Sequence, residues 1–243
     1  MLHRLTHGLI TLVLAPCLLA QGRWVRRMTP VLPEPDGPRE GVIGRGRPLR
    51  VLILGDSSAA GVGAAHQDEA LSGQLSRALA PCFAVQWSLQ ACTGHQIKDV
   101  MAAVRLLPPK PWDVVVVAVG VNDATGMTRL SAWLDGLSTL RTQLRQRHGA
   151  SCLVWSALPP VHHFPALPQP LRWYLGRCAR RLEQALRTWV ARHDDCVVAD
   201  VNFPMDLRYM ATDGFHPGPL AYAAWGQALA ELIAQRLAEW PRA

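Results

Sequence analysis

From residue 49 onward, short unbroken apolar runs alternate with longer stretches of helical period. Arg50 to Gly55, Val85 to Leu89, Asp113 to Val119, Cys152 to Ser156 and Cys196 to Asp200 are brief and rich in branched residues, which predicts five strands. Glu69 to Ala80, Ile97 to Leu107, Leu130 to Arg147, Leu171 to His193 and Leu220 to Trp240 carry apolar positions three and four apart, which predicts helices. Residues 113–119 read Asp-Val-Val-Val-Val-Ala-Val with no alternation. A strand that is apolar at every position has to be covered on both faces. Strand and helix alternating in this way predict one parallel, three-layer α/β/α domain over 49–243.

The pattern differs upstream. Residues 1–27 form an arm in which His3, Arg4 and His7 precede an apolar run from Gly8 to Ala20, broken by Pro16. A run of about 13 residues is short for a bilayer span and suits a signal-peptide core or an interfacial helix. Leu18 to Gly22 make a poor cleavage site, and Pro16 stands where a lipid-attachment Cys17 would need a small residue. Arg23, Arg26 and Arg27, with Trp24 among them, suit a helix lying on a cytoplasmic membrane face. The reading is an uncleaved arm in peripheral membrane association on a cytoplasmic protein, against an export signal or a plain buried helix. Residues 28–48 are crowded with Pro, Gly and charge and read as a linker.

Composition narrows the function classes. Hydrophobic residues make up 49% of the 243-residue chain and charged residues 18%, with nine Trp, so a packed core forms and intrinsic disorder is excluded. The net charge of +7 comes almost wholly from arginine, since Lys98 and Lys110 are the only lysines. Those arginines are scattered through amphipathic segments and no basic run is interleaved with aromatics, which argues against a nucleic-acid partner. The six cysteines show no C-x-x-C spacing and read as buried and reduced. His162 and His163 lack a third ligand at useful spacing, so no metal is expected. Gly61-Val62-Gly63 follows the first strand, but His66 stands at the third glycine position of a dinucleotide fingerprint and no acid ends the second strand.

In an open parallel sheet, ligands bind beyond the carboxyl ends of the strands. Small and polar residues gather at those ends: Gly55-Asp56-Ser57-Ser58 after the first strand, Thr93-Gly94 after the second, Gly120-Val121-Asn122-Asp123 after the third and Asp213-Gly214-Phe215-His216 after the fifth. A serine becomes nucleophilic when an imidazole takes its proton, and the imidazole needs a carboxylate to fix its tautomer. Asp213 and His216 share one loop, which suits that pairing. The backbone N–H groups of Ser57 and Gly94 and the amide of Asn122 are the candidate donors for an oxyanion.

These four blocks, in this order, resemble the SGNH or GDSL-type hydrolases: Gly55-Asp56-Ser57, Gly94, Gly120-x-Asn122-Asp123 and Asp213-x-x-His216. The second block departs from the pattern, with Ala91 and His95 where smaller or polar residues are common in the family. The resemblance covers roughly Leu49 to Trp240. It implies a flavodoxin-like sheet of five parallel strands, no cofactor or metal, and hydrolysis of small-molecule esters or thioesters through an acyl-enzyme. Ser57, Asp213 and His216 are then the catalytic residues, with Ser57, Gly94 and Asn122 forming the oxyanion hole. Taken alone, Ser57 reads as a helix cap and Asn122 as a turn residue. The match puts the nucleophile on Ser57 and leaves capping to Ser58, with Asp56 and Asp123 as hydrogen-bonding support.

The loop from Pro159 to Trp173 lies on the same edge and carries Phe164, Leu167 and Trp173, which are expected to wall the acyl pocket. The expected substrates are short- to medium-chain or lysophospholipid-like esters. An acyltransferase or carbohydrate deacetylase uses the same machinery, and a non-catalytic lipid- or glycan-binding module of this fold is the alternative from another class.

Overall fold

The computed structural model of the chain describes residues 2–200 and 206–239. Six strands form one sheet: β1 (Glu40–Ile43), β2 (Arg47–Gly55), β3 (Phe83–Ala91), β4 (Val114–Ala118), β5 (Cys152–Ser156) and β6 (Cys196–Ala199), in the order β1-β3-β2-β4-β5-β6. All neighbours are parallel except β1, which runs antiparallel to β3 at the edge. The helices are α1 (Leu2–Met28), α2 (Ser57–Ala60), α3 (Leu71–Leu79), α4 (Ile97–Leu106), α5 (Val121–Thr125), α6 (Leu130–His148), α7 (Leu171–Val190) and α8 (Pro219–Glu239). Trp240, where the last helix was expected to end, lies outside the described residues.

β4 explains the layering. Val115 and Val117 join one core with α4, α6 and α7, while Val114 and Val116 join the other with α3 and α8. All four are fully buried, each contributing roughly 1.5–3 kcal/mol of apolar burial. That is why this strand carries no polar position.

Three expectations need correction. The segment 28–48 is not a bare linker, because it contributes β1 and packs on the domain: the Gln67 N–H donates to the Asp36 carbonyl at 2.8 Å and the Leu89 N–H to that of Arg39 at 2.7 Å. The sheet therefore holds the five parallel strands expected, β2 to β6, and gains β1 as an unexpected sixth at its edge. Among the cysteines, Cys152 and Cys196 are buried, but Cys17, Cys82 and Cys92 are exposed. Burial pushes the Cys152 thiol up to about 11 and the Cys196 thiol up to about 12, so both stay protonated and inert at neutral pH.

α1 docks on the domain along one face. Leu14, Leu18 and Val25 reach the core beneath α7, and the Gln21 amide donates to the Gln169 carbonyl at 2.6 Å while accepting from the Leu171 N–H at 3.0 Å. Its other face leaves Val13, Cys17, Leu19, Trp24 and Met28 exposed. Among the described residues, no helix is long and apolar enough to cross a membrane.

Candidate active site

Ser57 opens α2 immediately after β2, and the turn that presents it depends on a close backbone approach. A Cβ at Gly55 would lie 2.0 Å from the Ala118 carbonyl oxygen, so only glycine lets β4 come this near. The next residue is tied down as well, since the Asp56 N–H donates to that same carbonyl at 3.0 Å. Asp56 caps α2: its Oδ1 accepts from the Ser58 N–H at 3.0 Å and from the Ser58 hydroxyl at 2.7 Å. Capping thus belongs to Asp56, and Ser58, expected in that role, is its donor. Burial pushes the Asp56 carboxyl above its ordinary value in spite of the bonds from Ser58. Ser57 is the first residue of the helix, where a backbone N–H has no intrahelical partner and faces outward for a ligand.

Asp213 and His216 meet Ser57 from the far end of the chain. Asp213 Oδ1 accepts from the N–H groups of Phe215 (2.9 Å) and His216 (3.0 Å), while Oδ2 lies 2.5 Å from His216 Nδ1. The other ring nitrogen, Nε2, lies 2.9 Å from Ser57 Oγ. With the carboxylate accepting from Nδ1–H, Nε2 is left as the acceptor for the serine proton. Asp213 is buried. Burial raises its carboxyl, but the bonds from the His216 ring and from the His216 and Phe215 N–H groups outweigh it and hold the group below its ordinary range. Pro217 closes the loop against Met210, and Pro219 begins α8.

Asn122 lies in the single turn of α5 and donates from Nδ2 to the His95 carbonyl at 3.1 Å. One amide hydrogen orients the side chain, and the second is available to the cavity that Asn122 lines. Asp123 is fully buried and accepts from the Ile97 N–H and the Thr128 hydroxyl, each at 3.0 Å. Burial raises its carboxyl despite those bonds. Gly94 stands at the exposed tip of the loop after β3 with φ +85°, outside the cavity lining.

Ser57, Asn122 and His216 line one cavity of about 60 Å³. Its apolar wall includes Val121, Leu158, Phe164, Phe215 and Trp225. Phe164 and Phe215 meet edge to face, 5.0 Å between ring centres. Of the three residues expected in the pocket, only Phe164 lines it. Leu167 is buried in the core beneath α7, and Trp173 is half-buried beside Arg177, whose guanidinium sits 5.1 Å from its ring centre. Val121 and Phe215 fill variable positions inside the blocks that carry Asn122 and His216, so the chain had placed them at the site. Trp225 is on α8, and no local signal marks it. Among the described residues, no three His, Cys, Asp or Glu side chains gather as metal ligands.

The chain matches the GDSL-like lipase/acylhydrolase family over residues 53–224, a span that runs from β2 into α8 and holds Ser57, Asn122, Asp213 and His216. The chain belongs to that family. A GDSL-like esterase of Mycobacterium tuberculosis is 27% identical over 187 residues, which is 72% of this chain and 58% of the relative. This chain thus spans under two thirds of that protein's length. Two solved structures share this fold at low identity. A member of the lipolytic G-D-S-L family from Veillonella parvula superposes with a TM-score of 0.60 at 12% identity, over 77% of this chain and 99% of that one. A carbohydrate acetylesterase from Sinorhizobium meliloti gives 0.58 at 18% identity, over 77% and 99%. The three-layer arrangement built here from β4 outward is that of GDSL hydrolases.

Proposed function

We propose that the chain hydrolyses carboxylic esters of short acyl groups through an acyl-enzyme on Ser57. The observation that carries this reading is the unbroken relay from Asp213 Oδ2 to His216 Nδ1 (2.5 Å) and from His216 Nε2 to Ser57 Oγ (2.9 Å) at the mouth of an apolar cavity. In this mechanism Ser57 Oγ attacks the acyl carbon while its proton passes to His216 Nε2, and Asp213 steadies the imidazolium. The Ser57 N–H and the free amide hydrogen of Asn122 hold the oxyanion from the cavity wall, and the Gly94 N–H, on the loop that Asn122 binds through the His95 carbonyl, is the third donor. The intermediate collapses as His216 protonates the departing alcohol, and water, deprotonated by the same imidazole, then releases the acid. The cavity of about 60 Å³ is far below the roughly 300–1,000 Å³ of sites for drug-sized ligands, which favours acetyl over long chains.

Ser57→Ala tests the reading. Turnover of p-nitrophenyl acetate is expected to fall by about 10⁴-fold or more, and full turnover in that variant would sink it. The small acyl cavity also favours a second reading, removal of acetyl groups from carbohydrate, which the Sinorhizobium meliloti neighbour's activity makes the first alternative to assay. Acetate release from acetylated xylan against release from simple alkyl acetates separates the two.

The outer face of α1 supports a proposed peripheral membrane association. Val13, Cys17, Trp24 and Met28 form an exposed stripe at helical spacing, and Arg23, Arg26 and Arg27 beside it are exposed and suit anionic lipid. Co-sedimentation with vesicles rich in anionic lipid is the measurement that checks it.

A further inference from the structure

The loop that carries Gly94 is clamped on both sides. Toward α5, the His95 carbonyl accepts from Asn122 Nδ2 at 3.1 Å, Gln96 Nε2 donates to the Asn122 carbonyl at 3.1 Å, and the Ile97 N–H donates to Asp123. Toward β2, the Cys92 N–H donates to the Gly55 carbonyl at 3.3 Å. The His95 N–H closes the turn across Thr93 and Gly94 by donating to the Cys92 carbonyl at 3.2 Å, and the Thr93 N–H and hydroxyl find their partner in the segment before β1. Glu34 Oε1 accepts from both the Thr93 N–H (2.7 Å) and the Thr93 hydroxyl (2.8 Å). Glu34 is itself held, because Arg39 Nη1 donates to its Oε2 at 2.9 Å while Arg39 Nη2 donates to the Ala91 carbonyl at the end of β3. The strap cannot drift, since the carbonyls of Asp36 and Arg39 are engaged by Gln67 and Leu89.

Gly94 follows Thr93 directly, in a left-handed conformation with nothing within 4 Å of where a Cβ would stand. Its neighbours do not pack it in place, so the direction of its N–H is set by the bonds on the residues beside it. We propose that Glu34, steadied by Arg39, is a positioning residue that aims the Gly94 N–H at the oxyanion. The proposal rests on the acyl-enzyme reading above, in which Gly94 is a donor. One carboxylate oxygen takes both the Thr93 N–H and the Thr93 hydroxyl, and so holds the backbone and the side chain of the residue before Gly94 together, which a single bond would not. A carboxylate is suited to this because charge-assisted acceptors bind N–H and O–H more tightly than neutral ones.

The test uses the full chain and p-nitrophenyl acetate. Glu34→Ala is expected to lower kcat on the order of tenfold, less than outright loss of an oxyanion donor, with KM within about twofold of the original. Affinity for a phenylboronic acid, which forms a tetrahedral adduct on serine, is expected to fall by a similar factor. A purely structural role would lower the amount of active enzyme and leave boronate affinity unchanged in what remains. Glu34→Gln keeps an oxygen that accepts from Thr93 and is expected to recover most of the kcat, and it serves where the alanine variant folds poorly. Ser57→Ala is run alongside. Activity in Ser57→Ala overturns the acyl-enzyme reading and this inference with it. An inactive Ser57→Ala together with Glu34 variants at full kcat and full boronate affinity overturns the positioning role alone.

Discussion

Asp213 serves two ends with one carboxylate: Oδ1 accepts the N–H groups that shape its own loop, and Oδ2 accepts the ring of His216. The loop geometry and the imidazole tautomer are thereby fixed together, and a side chain without two acceptor oxygens does not do both. The cavity wall is set at the same scale. Phe164 closes the pocket edge to face with Phe215, whereas Trp173 packs elsewhere. Phe164→Ala is expected to shift preference on p-nitrophenyl esters from acetate toward butyrate and longer chains. Trp173→Ala is expected to leave the profile as it was. Unchanged chain-length profiles in Phe164→Ala would count against the pocket. That Ser57, Asn122, Asp213 and His216 gather in one place was legible because each lies beyond the carboxyl end of a strand. Leu167 and Trp173 were misplaced because an apolar residue in a loop facing the active edge can turn inward to the core or outward to the cavity, and spacing does not say which.

At the scale of elements, the strands buried on both faces were plain in the sequence and the exposed ones were not. β4 announces itself by five consecutive apolar residues. β1 is held by backbone pairing to β3, with Val42 and Ile43 exposed and glycines on either side, so no hydrophobic period marks it. The helical character of residues 2–28 was legible, but its docking was not, because the inward Leu14, Leu18 and Val25 read no differently from the outward Val13 and Leu19, and the polar anchor is a single amide, Gln21, at the start of α7. The outer face of that helix makes a separate expectation. Trp24→Ser, or replacement of Arg23, Arg26 and Arg27 by glutamine, is expected to reduce co-sedimentation with anionic vesicles several-fold while p-nitrophenyl acetate turnover stays level. Raised salt should weaken only the arginine-dependent part. Binding to neutral and anionic vesicles alike would argue against the arginines.

For the whole molecule, one ion cluster ties α6 to the sheet. Asp195, nearly inaccessible at 4% side-chain exposure, receives Arg141 from α6 at 2.7–3.0 Å and Arg145 at 2.8 Å, and its carbonyl accepts from the Leu153 N–H of β5 at 2.8 Å. Asp195→Asn is expected to cost about 2–3 kcal/mol, toward the low end for a broken buried pair because Arg145 is half exposed. Burial raises the Asp195 carboxyl, but the bonds from Arg141 and Arg145 outweigh it and hold the group below its ordinary value. A carboxyl whose folded value is depressed adds stability above its unfolded value of about 3.9, and that stability is lost as pH falls through the folded value. The difference between the two proteins in urea unfolding should therefore be wide at neutral pH and narrower at a pH below about 3.9. A gap equally wide at both would refute the assignment.

The positions of Ser57 and His216 have one more consequence. They are 159 residues apart in the chain, and the histidine is brought home by α8 lying on α3. During synthesis the turn that carries Ser57 emerges well before the loop that carries His216, so the two meet only once α8 has emerged and docked on α3. A chain stalled before α8 would therefore hold Ser57 in its turn without the imidazole that His216 brings to it.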